Sequence, residues 1–282
     1  MAEAIEQRVQ QYLLDGADED LKRLLAISEL MAATSRTAIR RSGIQPGWNV
    51  IECGCGPVGA LIVMAEMVGS AGRVVGVDSS PPTIQRARSL IDTLGLSSVE
   101  VVIGDINELD AGALGAPFDV AFSRLFLMHQ ADPVHTLRRI ADLLRPGGWV
   151  IAQEPLRAPP PRSFPHVPAL DAYWELLHQS MEGFGAQAQA VEQLSRSAVA
   201  AGLEVVSLDG SFAVASPDRM FAIHAATLAA ARERATTAGL ATEDAIDGLI
   251  GELRAAAAGR YEWVSSPFFL DITMRKPTAA SL

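Results

Sequence analysis

Eight residues carry the densest chemical information in the chain: Glu52-Cys53-Gly54-Cys55-Gly56-Pro57-Val58-Gly59. Their glycines fit the G-x-G-x-x-G spacing of a turn that lets the backbone bend sharply and a ligand approach the main chain. Nucleotide sites of several kinds share that spacing. Glu52, just before the first glycine, narrows the choice. An acid there repels the pyrophosphate of a cofactor such as NAD, whereas a cationic sulfonium cofactor bearing an amino group suits it. Asp78 closes the next apolar run, where a carboxylate can accept from both ribose hydroxyls of an adenosine. NAD would use the same acid. Asp105, in GDINEL, can accept from an adenine amino group while Ile106 covers the ring; an Asx turn is the other role open to it.

Further side chains suit an acceptor site. His129, in SRLFLMHQADP, titrates near neutrality and is a candidate general base, or else a ring that fixes its loop. Glu154 ends an apolar run, where it can touch substrate or cap a helix. Phe126, Met128, Tyr173, Trp174, Met181 and Phe184 supply an apolar pocket, or core beneath a helix. His135, His166, His178 and His224 read as structural. Cys53 and Cys55 are too close for an ordinary disulfide and lack partners for a metal, so they read as buried fillers and no metal is expected.

Alternating strands and helices must position these residues. WNVIEC, RVVGVD, VEVVIGD, PFDVAFS and WVIAQEP read as strands. VGALIVMAEMVG, SPPTIQRARSLIDTLG and DPVHTLRRIADLLRPGG read as helices, the last stopped by Pro146, Gly147 and Gly148. Such βαβ units imply a parallel sheet with helices on both faces. Two helices precede it, VQQYLLDG and a longer one ending at Gly43. RAPPPRSFPHVP is a proline-stiffened connector. Helices over ALDAYWELLHQSMEGFG and QAVEQLSRSAVAAG lead to a sixth strand, LEVVSLDGSFAV. An Ala-rich helical pair spans 217–258, and YEWVSSPFFLDITMRKP closes as a seventh strand.

The series IECGCGPVG, VVGVDSS, VIGDINEL, FDVAFSRLFLMHQADP and LRPGGWVIAQEP resembles the class I S-adenosylmethionine (SAM)-dependent methyltransferases. Within that class it is similar to the small-molecule enzymes related to the ubiquinone/menaquinone methyltransferases. The resemblance is strong over residues 10–156 and poor over 157–203 and 215–260. It departs from the usual loop at Pro57 and Val58. The resemblance implies an α/β, Rossmann-like, doubly wound seven-stranded sheet, mostly parallel with its last strand antiparallel, plus N-terminal helices and helical lid insertions. Residues 1–45 would be a helical preface and 46–156 the SAM-binding core. Residues 157–203 would be a lid and 204–282 the completion of the sheet. The resemblance also implies roles. Glu52, Gly54 and Gly56 would hold the methionine part of SAM, Asp78 the ribose, and Asp105 with Ile106 the adenine, with Ser79 a further cofactor-binding residue. Ser123 and Arg124 would line the methyl end, and Tyr12 would close over the carboxylate.

Composition bounds the rest. The chain has 282 residues, 49% of them hydrophobic, and a formal net charge of −10. An acidic surface disfavours a nucleic-acid partner. No apolar run is long enough for a bilayer span and no signal sequence is evident, so a cytoplasmic protein is expected. The partner expected is a small-molecule acceptor, and the added helices leave room for a homodimer interface. SAM-dependent O- or C-methylation is the leading expectation. An NAD-linked oxidoreductase, a non-methylating SAM binder and an RNA or protein methyltransferase are the competitors; the Asn/Asp-Pro-Pro-Tyr type of motif is absent after the fourth strand, where SRLF stands.

Overall fold

The computed structural model describes residues 18–182 and 191–278. The strands are β1 (Asn49–Cys53), β2 (Arg73–Asp78), β3 (Val99–Ile103), β4 (Phe118–Arg124), β5 (Leu144–Pro155), β6 (Ser163–Phe164), β7 (Glu204–Ser211), β8 (Val214–Ala215), β9 (Trp263–Ser265) and β10 (Phe269–Arg275). The helices are α1 (Glu19–Arg40), α2 (Leu61–Val68), α3 (Pro81–Leu94), α4 (Pro133–Asp142), α5 (Pro168–Glu182), α6 (Leu194–Ala200), α7 (Pro217–Thr237) and α8 (Glu243–Ala257).

Seven strands form one sheet in the order β3-β2-β1-β4-β5-β10-β7. β1 to β5 run parallel, and β10 lies antiparallel between β5 and β7. The doubly wound sheet expected from the sequence is therefore present, with its antiparallel last strand. Strand alternation divides the core between two faces. Val50, Val74, Phe122 and Ile151 pack under α1, α2 and α3. Ile51, Val75, Ala121, Val150 and Ile272 pack under α4 and α6. Because both faces are covered, the central strands are apolar runs rather than alternating ones.

Local chemistry sets the helix ends. Asp18 accepts from the Leu21 N–H at 2.8 Å and opens α1. Ser80, followed by two prolines, opens α3, and Gly95 closes it at φ 67°. A third core joins α5, α7 and α8 through Trp174, Leu177, Phe221, Leu228, Ile250 and Leu253. A small β6-β9-β8 sheet packs onto this helical unit through Val264.

Several boundaries differ from expectation: the sixth-strand run splits into β7 and β8 of different sheets, and the proline connector holds β6. The fourth-strand helix ends at Asp142, and Leu144 already pairs with Phe118, so the Pro146-Gly147-Gly148 turn sits inside β5. The closing run splits into β9 and β10 around Pro267, which lacks the N–H a continuous ladder needs. Among the described residues, no helix is long and apolar enough to cross a membrane.

Candidate functional site

The glycine turn joins β1 to α2 at the carboxyl edge of the sheet. The N–H groups of Gly54 and Cys55 both donate to Val77 O, at 2.8 and 3.0 Å, tying the turn to β2. Gly54, Gly56 and Gly59 have φ of 71°, 57° and 41°. Glu52 is buried, and both carboxylate oxygens accept from the Ala60 N–H at 2.8 Å, at the start of α2. A Cβ on Gly59 would lie 2.3 Å from Glu52 Oε1 and 2.5 Å from Cys55 O. Gly59→Ala is therefore expected to destabilise the protein by about 2 kcal/mol or more, from combined strain and clash. Urea unfolding checks it, and an unchanged midpoint would show that the turn has slack.

Asp78 crosslinks the two loops: Oδ2 accepts from Gly56 N at 3.0 Å and Oδ1 from Ser80 N at 2.9 Å. Beside it opens a cleft of about 240 Å³, lined by Gly54, Asp78, Ser79, Asp105, Ile106 and Phe126, among others. A Cβ built on Gly56 meets no atom within 4 Å. Asp105 Oδ1 accepts from Asn107 N and Nδ2, both at 2.9 Å, so it makes the Asx turn while also lining the cleft.

A larger cavity of about 410 Å³ adjoins the cleft, and Gly54, Asp78, Leu125 and His129 line both. Its walls include Met128, Tyr173, Trp174 and Met181, as the sequence suggested, together with Met31 and Met220. His129 stands at the junction, with part of its surface open to solvent. Protein packed around the remainder of the ring, then Arg234, push its pKa down, so the ring is neutral near pH 7. His224 is driven to about 4 by burial, against its hydrogen bond to Ser265 O. Burial pushes the Tyr173 hydroxyl well up, so it stays protonated.

Three expected site residues have different surroundings from those anticipated. Glu154 lines neither cavity. It is fully buried, and Oε1 accepts from the N–H groups of Phe126 and Leu127 at 3.0 and 2.8 Å. It anchors the short 3-10 turn Leu127–His129, which is the capping role rather than the substrate contact. Phe126 leaves the acceptor wall for the smaller cleft, where it presses on Gly54; a Cβ there would meet Phe126 Cδ2 at 2.3 Å. Ser123 is buried in the β1–β4 pairing and lines neither cavity. Tyr12 and Phe184 lie outside the described residues.

Arg124 does line the larger cavity, held by donation to Ser35 Oγ at 2.8 Å and Ser28 Oγ at 3.3 Å. Ser35 in turn donates to Gln153 Oε1 at 2.6 Å, and Gln153 Nε2 donates to Asp271 at 2.9 Å. This relay from α1 to β10 had no motif to reveal it. Leu125, after β4, holds φ at 54°, strained for a residue with a Cβ and typical of a functional turn. Among the described residues, no group of three His, Cys, Asp or Glu could hold a metal ion.

Comparison with known proteins agrees with this geometry. A family model described as a methyltransferase domain matches residues 44–201. Demethylmenaquinone methyltransferase of Bacillus cereus is 30% identical over 43% of this chain and 51% of its own length. Aklanonic acid methyltransferase DauC of Streptomyces is 33% identical over 43% of this chain and 54% of its own length. The matches thus span about half the length of these curated relatives. Among solved structures, the [4+2]-cyclase SpnF superimposes with a TM-score of 0.53 at 19% identity, over 88% of this chain and 81% of that one. At that identity the likeness shows the fold alone.

Proposed function

This chain belongs to the methyltransferase-domain family, and from that premise we propose that it binds SAM in the paired cavities and methylates a small hydrophobic or aromatic acceptor, on oxygen or carbon. One observation carries the choice of ligand. In dinucleotide enzymes the pyrophosphate sits on the N-terminus of the helix after the first strand. Here that N-terminus already serves a buried acid, Glu52, and Asp78 adds a second carboxylate beside the turn. A phosphate-bearing ligand meets the Asp78 carboxylate and finds the Ala60 N–H already taken by Glu52. A cationic ligand without phosphate meets two acids.

SAM, when bound, supplies a methyl carbon on positive sulfur. The rest of the reading concerns the chain's own groups. Asp78 and Ser79 hold the ribose, and Asp105 and Ile106 the adenine. Glu52, Gly54, Gly56 and Arg124 surround the methionine end. The Met- and aromatic-lined cavity aligns the acceptor and keeps water away, which is most of what an in-line displacement needs. His129, neutral at the junction of the cavities, can take the proton of a protonated acceptor.

Calorimetric titration with S-adenosylhomocysteine and with NAD tests the ligand. Binding of the first and not the second is expected; the reverse overturns the reading. Transfer of label from methyl-labelled SAM into small molecules of a cell extract then tests the reaction. Binding without transfer would leave a SAM-binding protein of another activity.

A further inference from the structure

Helix α7 turns Met220, Ile223, His224, Thr227 and Arg234 toward the larger cavity. At 1.5 Å per residue, this stripe lines roughly 20 Å of wall. Three guanidinium groups border the cavity: Arg23, Arg124 and Arg234. Arg23 donates to Asp20 Oδ1 through Nε and Nη2. Arg124 is held by Ser35 and Ser28 and faces the acid Glu52. Arg234 has neither compensation. Its Nε is shut off from solvent with no hydrogen-bond partner, and among the described residues no carboxylate pairs with it.

The carboxylates that line the cavity, Glu52 and Asp78, both hold the glycine turn and the start of α2. The rest of the lining therefore combines an apolar wall with a half-buried guanidinium that no carboxylate among the described residues pairs. Such a charge is costly without a counter-ion, and a planar guanidinium matches a carboxylate with paired hydrogen bonds.

We propose that Arg234 binds an anionic oxygen group of the methyl acceptor, a carboxylate or an ionised hydroxyl, while Met128, Trp174 and Met220 hold the acceptor's apolar body. This rests on the methyltransferase reading and narrows its substrate to hydrophobic or aromatic acids. It places the anion in the cavity that His129 also lines.

Calorimetry on protein saturated with S-adenosylhomocysteine tests it, with 2-naphthoate and its neutral counterpart 2-naphthalenemethanol as probes. The wild type is expected to bind the carboxylate at least about tenfold tighter than the alcohol. Arg234→Gln should erase that preference and leave the alcohol's affinity as it was, while Arg234→Lys, which keeps the charge without the fork, should retain part of it. Equal affinities in the wild type, binding of neither probe, or a preference that survives Arg234→Gln overturns the proposal. The same titrations report S-adenosylhomocysteine affinity. A wild type that fails to bind it overturns the methyltransferase reading together with this inference, whereas one that binds it without preferring the acid overturns this inference alone.

Discussion

Replacing Asp78 with alanine is expected to weaken S-adenosylhomocysteine binding by at least about a hundredfold while leaving the protein folded. Two losses combine. Under the proposed function, the carboxylate accepts from the ribose hydroxyls, and hydrogen bonds to a charged group contribute about 1.5–3 kcal/mol each. The same carboxylate also accepts from Gly56 N and Ser80 N, so its removal frees both loops that frame the cleft. The fold should survive because Asp78 is half-buried at the tip of β2, and the β1–β2 ladder is made by backbone groups. Asp78→Asn should fall between the two, since its amide keeps one acceptor and turns the other toward an N–H. Calorimetry reads the affinity and a thermal melt the fold. Affinity within about threefold of the wild type, on a protein that melts normally, would remove the ribose contact from this account.

The residues around the glycine turn are the most legible part of the sequence. Glu52, Gly54, Gly56 and Asp78 sit at strand ends, where an apolar run, a glycine and an acid follow one another in fixed order. Strand geometry then leaves them little freedom of position. Residues whose roles depend on what faces them across the fold were harder to read. Glu154 is an acid at a strand end exactly as Asp78 is, and only the structure shows the Phe126–Leu127 backbone turned back onto it. Phe126 could be placed after β4 but not turned toward Gly54, because that depends on the strained backbone of Leu125. Arg234 lies in an Ala-rich helix with no motif around it. The role proposed for it depends on the α7 stripe meeting a cavity built by α1, α5 and the glycine turn, a long-range coincidence that local pattern does not encode. Leu144 departs from the helical pattern for a related reason: its pairing with Phe118 overrides a helical preference shared with the residues before it.

Proton uptake and release should follow from two of the buried acids, Glu52 and Glu154. Burial raises Glu52 from 4.5 to about 8, against the pull of Arg124 and the Ala60 N–H, with Asp78 adding to the rise. Burial likewise raises Glu154 to about 7, against three backbone N–H groups. In the unfolded chain both ionise near 4.5, so between about pH 4.5 and 8 the folded protein binds more protons than the unfolded one. Stability from these groups is therefore complete below that window and is lost as pH rises through it. At about 1.4 kcal/mol per unit, the loss amounts to several kcal/mol. Urea unfolding of ligand-free protein should show a lower midpoint at pH 8 than at pH 5, and Glu52→Gln, permanently neutral, should shrink the difference to the part that Glu154 contributes. Parallel behaviour of wild type and variant would assign the effect elsewhere. Ligand binding runs the same linkage in the opposite sense. A cation brought to the glycine turn favours ionised Glu52, so SAM binding at pH 7 should expel up to about one proton. Titrations in phosphate and in Tris, whose ionisation enthalpies differ, count that proton. Glu52→Gln should bind with none released, and SAM affinity of the wild type should rise with pH up to the pKa of Glu52. A wild type whose binding enthalpy is the same in both buffers would mean that the acid at the turn does not meet the positive charge.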